Sequence, residues 1–355
     1  MRDGLRMGGE LGSAPAMGSD KRHTPRVVVS ASLAYDYIMT FPGSFKDYIL
    51  PDKVHVLSVS FLFDSLRRLR GGIAGNIAYS LALLGERAAV VGAGGSDFAP
   101  YREAFDALGI DTRLVLDVPD ELTGSAFMNA DRDGNQIAGF YPGASSHAAE
   151  VSVLEAGAAA QYALVGATDL EVMRRHTAQF AQSGCRLIYD PSQQVIGCPA
   201  EDLVAGIERA WAVIGSDYEY AVLEQKTGLS VDAVAERVPL TVVTYGDQGS
   251  EIRWRGDAMM IPIAVADPVV EPTGGGDAYR AGLIKGLLLG HELPIAGRMA
   301  ALAATYAVEH HGTQEHAYTA SAYVARFDAA FPDFAGAVDA GALVPLADPP
   351  AVPSP

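Results

Sequence analysis

Cysteine is nearly absent. Cys185 and Cys198 are the only two in 355 residues, and they stand neither in CxxC spacing nor in the number that staples a small secreted fold, which excludes a disulfide framework. Long hydrophobic runs are missing too: none approaches the ~20 apolar residues needed to cross a bilayer. Residues 1–25 lack the apolar core of a secretory signal, so a cytoplasmic protein is the expectation. Basic residues are few, 26 Lys and Arg against 43 Asp and Glu, for a net charge of −17. Such a surface repels phosphate backbones and no basic stripe interrupts it, so neither nucleic acid nor membrane is an expected partner. A phosphate-bearing ligand must then be met by local donors or a metal. Charged residues make up only 19% and apolar residues 49%, which is too little charge for a disordered chain and enough apolar material for a full core. The length allows one large domain or two ordinary ones.

Periodicity is also lacking in residues 1–25, read as a flexible arm, while the Pro-rich tail 346–355 cannot continue a helix. Between them, short β-branched runs alternate with helical segments. The runs are RVVVSASL (26–33), RAAVVGAG (87–94), TRLVLDV (112–118), YALVGAT (162–168), RLIYDPS (186–192), AWAVIGSD (210–217) and LTVVTYG (240–246). The helical segments include NIAYSLALLG, YREAFDALG, EVMRRHTAQFAQSG, EDLVAGIERA and YEYAVLEQKTG, several closing on Gly as a helix C-cap does. This spacing predicts βαβ units and a central, mostly parallel sheet with helices on both faces over 26–345. Residues 34–70 and about 121–141 break the rhythm. KVHVLSVSF and SAFMNADRDGNQIAGF alternate polar and apolar, with DRDGN as a hairpin turn. They predict antiparallel strands of a small inserted β-lid that closes over a ligand, with an exposed face able to serve as a homodimer contact.

Two glycine segments carry the chemistry. In EPTGGGDAYRAGLIKGLLLG (271–290), Gly274, Gly275 and Gly276 lead straight into a helical stretch. Their amides at a helix N-terminus form an anion site. Asp277 then sits beside that anion, a repulsive placement unless the carboxylate has a task such as taking a proton from an attacking hydroxyl. The plain alternative is a tight turn with Asp as cap. In RGGIAGNIAYSLALLG (70–85), Gly71, Gly72 and Gly75 open a helix with Asn76 in its first turn, placed to hydrogen-bond a ligand; taken alone, close helix–sheet packing that needs small residues explains them somewhat better than a site does. Neither segment is a P-loop or a dinucleotide fingerprint. His147, His310 and His311 have no carboxylate or Cys at ligand spacing, so no zinc site is expected.

In this order and about 200 residues apart, the two segments resemble the signatures of the ribokinase-like (PfkB) family of carbohydrate and nucleoside kinases. SLAYDYIMTFPGSF, LPDKVHVLSVSFL, GFYPGA, YDPSQQ, TYGDQGS and GTQE are similar to the bacterial adenosine kinase branch. The resemblance implies ATP-dependent phosphorylation of a nucleoside 5′-hydroxyl, with adenosine converted to AMP in purine salvage, and Mg²⁺ as the companion ion. It makes Asp277 the base and Gly274–Gly276 the anion hole. Asp36 takes the ribose diol, completed by Gly72 and Asn76. Ser32 and Ser60 line the nucleoside pocket, Phe140 stacks on the base, and Gln193 and Gln194 reach its edge. Thr244, Gly246 and Gly249 lie along ATP, and Arg280 contacts phosphate. Read as residues alone, Asp36 is also a loop cap, Phe140 a core residue, and Gln193 and Gln194 an exposed turn.

Three positions depart from the family pattern. Glu271 stands where Asp is usual, and His316 follows GTQE where an aromatic is common. The N-x-x-E segment that organises Mg²⁺ and phosphate reads Ser216-Asp217-Tyr218-Glu219, leaving Glu219 to act on the metal, including through water. A sugar or sugar-phosphate kinase on the same scaffold, or a nucleoside-binding protein without catalysis, are the other readings. Lys46, Lys53, Arg67, Arg68 and Arg70 are the lid cations available to a sugar phosphate.

Overall fold

Val27, Val28 and Val29 are all buried, and they point alternately into two different cores. Val27 and Val29 join Ile77, Leu283 and Leu302 on one side, while Val28 joins Met173, Phe180, Leu203 and Leu223 on the other. A strand apolar on both faces is stable only where helices cover both, and this one lies third from one edge of a nine-stranded sheet, with paired strands on either side. The computed structural model describes residues 24–49 and 58–345. The expected tail 346–355, and all of the expected arm except Thr24 and Pro25, lie outside the described residues.

The elements run β1 (Val27–Ser30), β2 (Ala34–Phe41), β3 (Ser65–Gly71), α1 (Ile73–Leu83), β4 (Ala88–Gly95), α2 (Ala99–Ala107), β5 (Asp111–Val118), β6 (Gly124–Asp131) and β7 (Gln136–Tyr141). There follow α3 (Leu154–Ala159), β8 (Tyr162–Val165), α4 (Leu170–Ser183), β9 (Arg186–Tyr189), α5 (Ala200–Arg209), β10 (Ala212–Ser216), α6 (Asp217–Thr227) and α7 (Val231–Ala235). The last part comprises β11 (Leu240–Thr244), β12 (Ser250–Trp254), β13 (Asp257–Ile261), α8 (Gly275–Leu288), α9 (Leu293–Val308) and α10 (Ala320–Ala330). The large sheet has the order β13-β12-β11-β10-β9-β8-β1-β4-β5. From β5 to β11 every neighbouring pair is parallel, and β12 and β13 add an antiparallel edge. That hairpin was not anticipated, although SEIRW and DAMMI flank the two-residue turn Arg255-Gly256, both at positive φ, as a tight hairpin connection requires.

The inserted segments form a second sheet, ordered β3-β2-β6-β7. Strands β2 and β3 are antiparallel, as are β6 and β7. The joining pair β2–β6 is parallel, from Ala34↔Gly124 to Phe41↔Asp131, so the expectation of a purely antiparallel lid is corrected. Both strands leave the C-terminal edge of the large sheet in the same direction, β2 after β1 and β6 after β5, which makes parallel pairing the direct solution. The DRDGN turn is closed by the Asp131 carboxylate, which accepts from the amides of Asp133 at 3.0 Å and Asn135 at 2.8 Å. KVHVLSVSF is not seen as a strand: residues 53–57 lie outside the described residues, Ser58–Phe61 have no sheet partner, and β3 begins at Ser65. Its apolar alternation is used otherwise, since Phe61 packs on Phe41 and Phe45 at the far end of the lid.

Candidate active site

In a parallel sheet, ligands sit outside the carboxyl ends of the strands. Here the ends of β1, β9, β10 and β11 deliver Ser32, Ser192, Ser216 and Thr244 to one cleft of about 880 Å³, with the lid sheet as its opposite wall. Helix α8 begins at the floor. Gly274 has φ +84°, a conformation closed to most other residues, and turns the chain into the helix. The amides of Gly276 and Asp277 fall in the first turn, where an α-helix supplies no acceptor of its own, and both residues line the cleft.

Asp277 is held there by Asn76, whose Nδ2 donates to Oδ2 at 2.8 Å. Burial pushes the Asp277 carboxyl up to about 6, against the downward pull of Arg280 and of the Asn76 hydrogen bond, with Asp190 and Glu219 adding repulsion. It is thus a carboxylate at neutral pH, and a more basic one than a solvated aspartate. Asn76 was expected to touch the ribose; it lines the cleft, and its amide nitrogen is also committed to Asp277.

Asp36, on β2, faces the same space and is only 9% exposed. Burial first, then the charges of Glu271 and Asp277, raise its carboxyl to about 7. The neighbouring strand leaves room for it: a Cβ on Gly71 would collide with the Asp36 carboxylate. Gly72, at φ +85°, brings the chain against Ser32 and Ala34 so closely that a side chain there would strike their backbone. Ser32 lines the cleft and also caps α1, its Oγ accepting from the Ile73 amide at 3.1 Å. On the lid wall, Phe140 is 57% exposed and turned to the cleft with Met128 and Ala138, so it is not a core residue.

Thr244 and Gly246 lie between this cleft and an adjoining, mostly apolar cavity of about 440 Å³. Gly249 lines only the second cavity, with Val265, Val269, Ala301 and Ala304. Ser216 is the N-cap of α6: its Oγ accepts from the Glu219 amide at 3.2 Å, and Glu219 Oε2 accepts from the Ser216 amide at 2.7 Å. This is a capping box, so Ser at this place performs the same capping task as Asn. Both residues line the cleft. Among the described residues no three His, Cys, Asp or Glu side chains form a metal cage. A hard cation that keeps most of its waters and arrives on nucleotide phosphates needs none, and the Glu219 carboxylate at the cleft wall fits that kind of ion.

Arg280 reaches the cleft but is not free for phosphate alone. Its guanidinium pairs with buried Asp190, Nη2 donating to Oδ1 at 2.9 Å and Nε lying against Oδ2. Gly275 lines only the adjoining cavity, and two expected residues line neither. Ser60 is exposed in the connection before β3 and does not line the cleft, where Ser58–Phe61 have no sheet partner. Gln194 turns away and donates from Nε2 to the Thr168 carbonyl at 2.8 Å, leaving only Gln193 at the cleft. Three residues went unassigned. Asp190 lay in the quoted YDPSQQ with no role given. Thr313 and Gln314 lay in GTQE; both donate to Asn76 Oδ1, at 2.8 and 3.1 Å.

Solved structures superpose on this architecture and define it as a ribokinase-like α/β fold. The chain is similar to Burkholderia thailandensis nucleoside kinase in complex with inosine, at TM-score 0.79 and 38% identity over 86% of this chain and 98% of that one. It is also similar to the Methanocaldococcus jannaschii nucleoside kinase, at TM-score 0.76 and 25% identity over 86% and 99%. Residues 45–320 match the pfkB family of carbohydrate kinases, and the chain belongs to that family. A nucleoside kinase of Methanothermobacter thermautotrophicus is 33% identical over 288 residues, 80% of this chain and 93% of the relative.

Proposed function

We propose that this protein transfers the γ-phosphoryl group of ATP to the 5′-hydroxyl of a nucleoside, with adenosine as the preferred acceptor. The observation that carries the reading is the pairing of Asp36 on the lid wall with Asp277 on the floor of one cleft. A carboxylate with two acceptor oxygens suits a vicinal ribose diol. A second carboxylate, ionised above about pH 6, accepts the proton of the hydroxyl aimed at it. The first-turn amides of α8 receive the negative charge of the phosphoryl group in flight, a transfer that needs mostly positioning and charge stabilisation. Arg280, steadied by Asp190, adds positive charge beside them. Phe140 offers a face to the base and Gln193 an amide to its edge, while the apolar second cavity suits the adenine of ATP. Mg²⁺ carried by the nucleotide neutralises its phosphates, with Glu219 as the wall residue nearest in chemistry.

The similarity to nucleoside kinases supports a nucleoside over a free sugar. The lid cations speak against a sugar phosphate. Lys46 pairs with Asp133, Arg68 with Asp97 and Arg70 with Glu315, none of the three nor Arg67 lines the cleft, and Lys53 lies outside the described residues.

The test is ADP release measured with adenosine, inosine, ribose and fructose 6-phosphate as acceptors. Turnover with adenosine exceeding the others is expected; turnover with a sugar and none with either nucleoside would overturn the reading. Asp277→Asn should lower kcat by about 10²–10⁴-fold, the usual contribution of a base, with adenosine binding retained in titration calorimetry. Near-normal turnover in that variant would remove Asp277 from the role.

A further inference from the structure

The amide of Asn76 can face Asp277 either way round. With Nδ2 forward it donates to the carboxylate; with Oδ1 forward it repels the carboxylate and favours the acid. A chain of hydrogen bonds fixes which way it faces. It starts at the Gly71 carbonyl, which can only accept. Tyr101 Oη lies 2.7 Å from that oxygen, so the phenol must give its single proton there and can only accept from its next neighbour. That neighbour is Gln314 Nε2 at 2.8 Å. The second hydrogen of the same nitrogen goes to Asn76 Oδ1 at 3.1 Å, joined there by the Thr313 hydroxyl at 2.8 Å. With Oδ1 claimed by two donors, Nδ2 is left for Asp277 Oδ2 at 2.8 Å. Gln314 Oε1 is buried with no hydrogen-bonding partner, so nothing at its oxygen sets the orientation of Gln314; the two acceptors at its nitrogen do. Tyr101 and Gln314 are 0% and 1% exposed, which keeps water from substituting for either.

We propose that Gln314 and Tyr101 are positioning residues for Asp277: they lock the Asn76 amide with its donor toward the carboxylate and so keep the base ionised at neutral pH despite its burial. The assignment deepens the kinase reading and rests on it for its catalytic meaning, although the hydrogen-bond polarity stands without it. The other groups facing Asp277 act in known directions. Arg280 on its own helix favours the charged form, while Asp190 at the end of β9 and Glu219 on α6 oppose it. Asp36 from β2 adds to the opposition and is itself coupled to Glu271. The chain has a further property: its first link is the last residue of lid strand β3. Through that Tyr101–Gly71 link the lid's root and the base share one network; the Thr313 hydroxyl, whose one proton goes to Asn76 at 2.8 Å, merely lies near the Arg70 carbonyl.

The experiment follows the Asn76 side-chain amide by ¹H–¹⁵N NMR from pH 5 to 8 in the full chain, alongside the pH dependence of kcat with adenosine and Mg-ATP. In the wild type the amide resonances should titrate with a midpoint near 6, and Asp277→Asn should abolish that titration. Gln314→Leu and the milder Tyr101→Phe should each raise the midpoint by about one unit, since a tenfold change in proton affinity accompanies loss of one such donor. The acid limb of kcat should move up with it, the plateau above pH 8 and the KM for adenosine changing little. Should Gln314→Leu fail to fold, Tyr101→Phe, which removes one oxygen, carries the test. An Asn76 midpoint equal to the wild type in the folded variants would overturn the proposal. Shifted midpoints in a protein that phosphorylates no nucleoside would keep the positioning role and retire the kinase reading instead.

Discussion

Asp36 has no ion-pair partner among the described residues; it is a buried acid beside two others, Glu271 and Asp277. Its carboxyl titrates near 7 in the fold against about 3.9 in an unfolded chain. Between those values the folded state holds the proton and the unfolded state does not, so this group makes stability fall as pH rises from about 4 to 7, and the burden is complete above 7. Asp36→Asn should therefore raise the melting temperature of the ligand-free protein at pH 8, with the gain shrinking toward pH 4. The same change should raise the KM for adenosine at least about 100-fold, the scale of two charge-assisted hydrogen bonds. In the wild type that KM should climb as pH drops below 7. A variant with unaltered KM would take Asp36 off the ribose. Asp277 was legible because three glycines lead straight into it, and Asp36 only through the family resemblance. Gln314 was not, because its meaning lies in contacts with residues 213 and 238 positions away, which no local pattern encodes.

Elements were legible where a β-branched run or a helical periodicity marked them. The β-branched runs at 26–33, 87–94, 112–118, 162–168, 186–192, 210–217 and 240–246 each contain or overlap a strand of the large sheet, and the five periodic segments each overlap a helix. Legibility failed where alternation had two causes. KVHVLSVSF alternates as a strand does, yet its described part puts Phe61 into an aromatic cluster and leaves Ser60 in solvent. Helix α6 shows the opposite case, a signature present but read only as a metal motif. Since Ser and Asn cap equally well, Ser216→Asn should leave stability within about 0.3 kcal/mol and the KM for ATP within about twofold. Ser216→Ala should lose about 1 kcal/mol in denaturant unfolding, the cost of a missing cap. An Asn variant as damaged as the Ala one would mean that Ser216 does something other than cap.

At the scale of the molecule, two sheets divide the labour. The large one is rigid by construction, buried on both faces; the small one is attached through short connections at Ser30–Ala34, Gly71–Ile73, Val118–Gly124 and the segment after Tyr141. A lid of this kind moves as a unit and excludes water when shut. Adenosine should therefore slow hydrogen exchange in 34–41, 65–71 and 124–141 while leaving the strands of the large sheet unchanged. Equal exchange with and without adenosine would count against closure.

The two acids do not ride on the same body: Asp36 belongs to the small sheet, Asp277 to a helix packed on the large one. Like charges fixed to separate plates push the plates apart. Above about pH 7, where both carboxyls are ionised, their repulsion opposes approach of the two sheets, and hydrogens donated to Asp36 by a bound diol weaken that opposition.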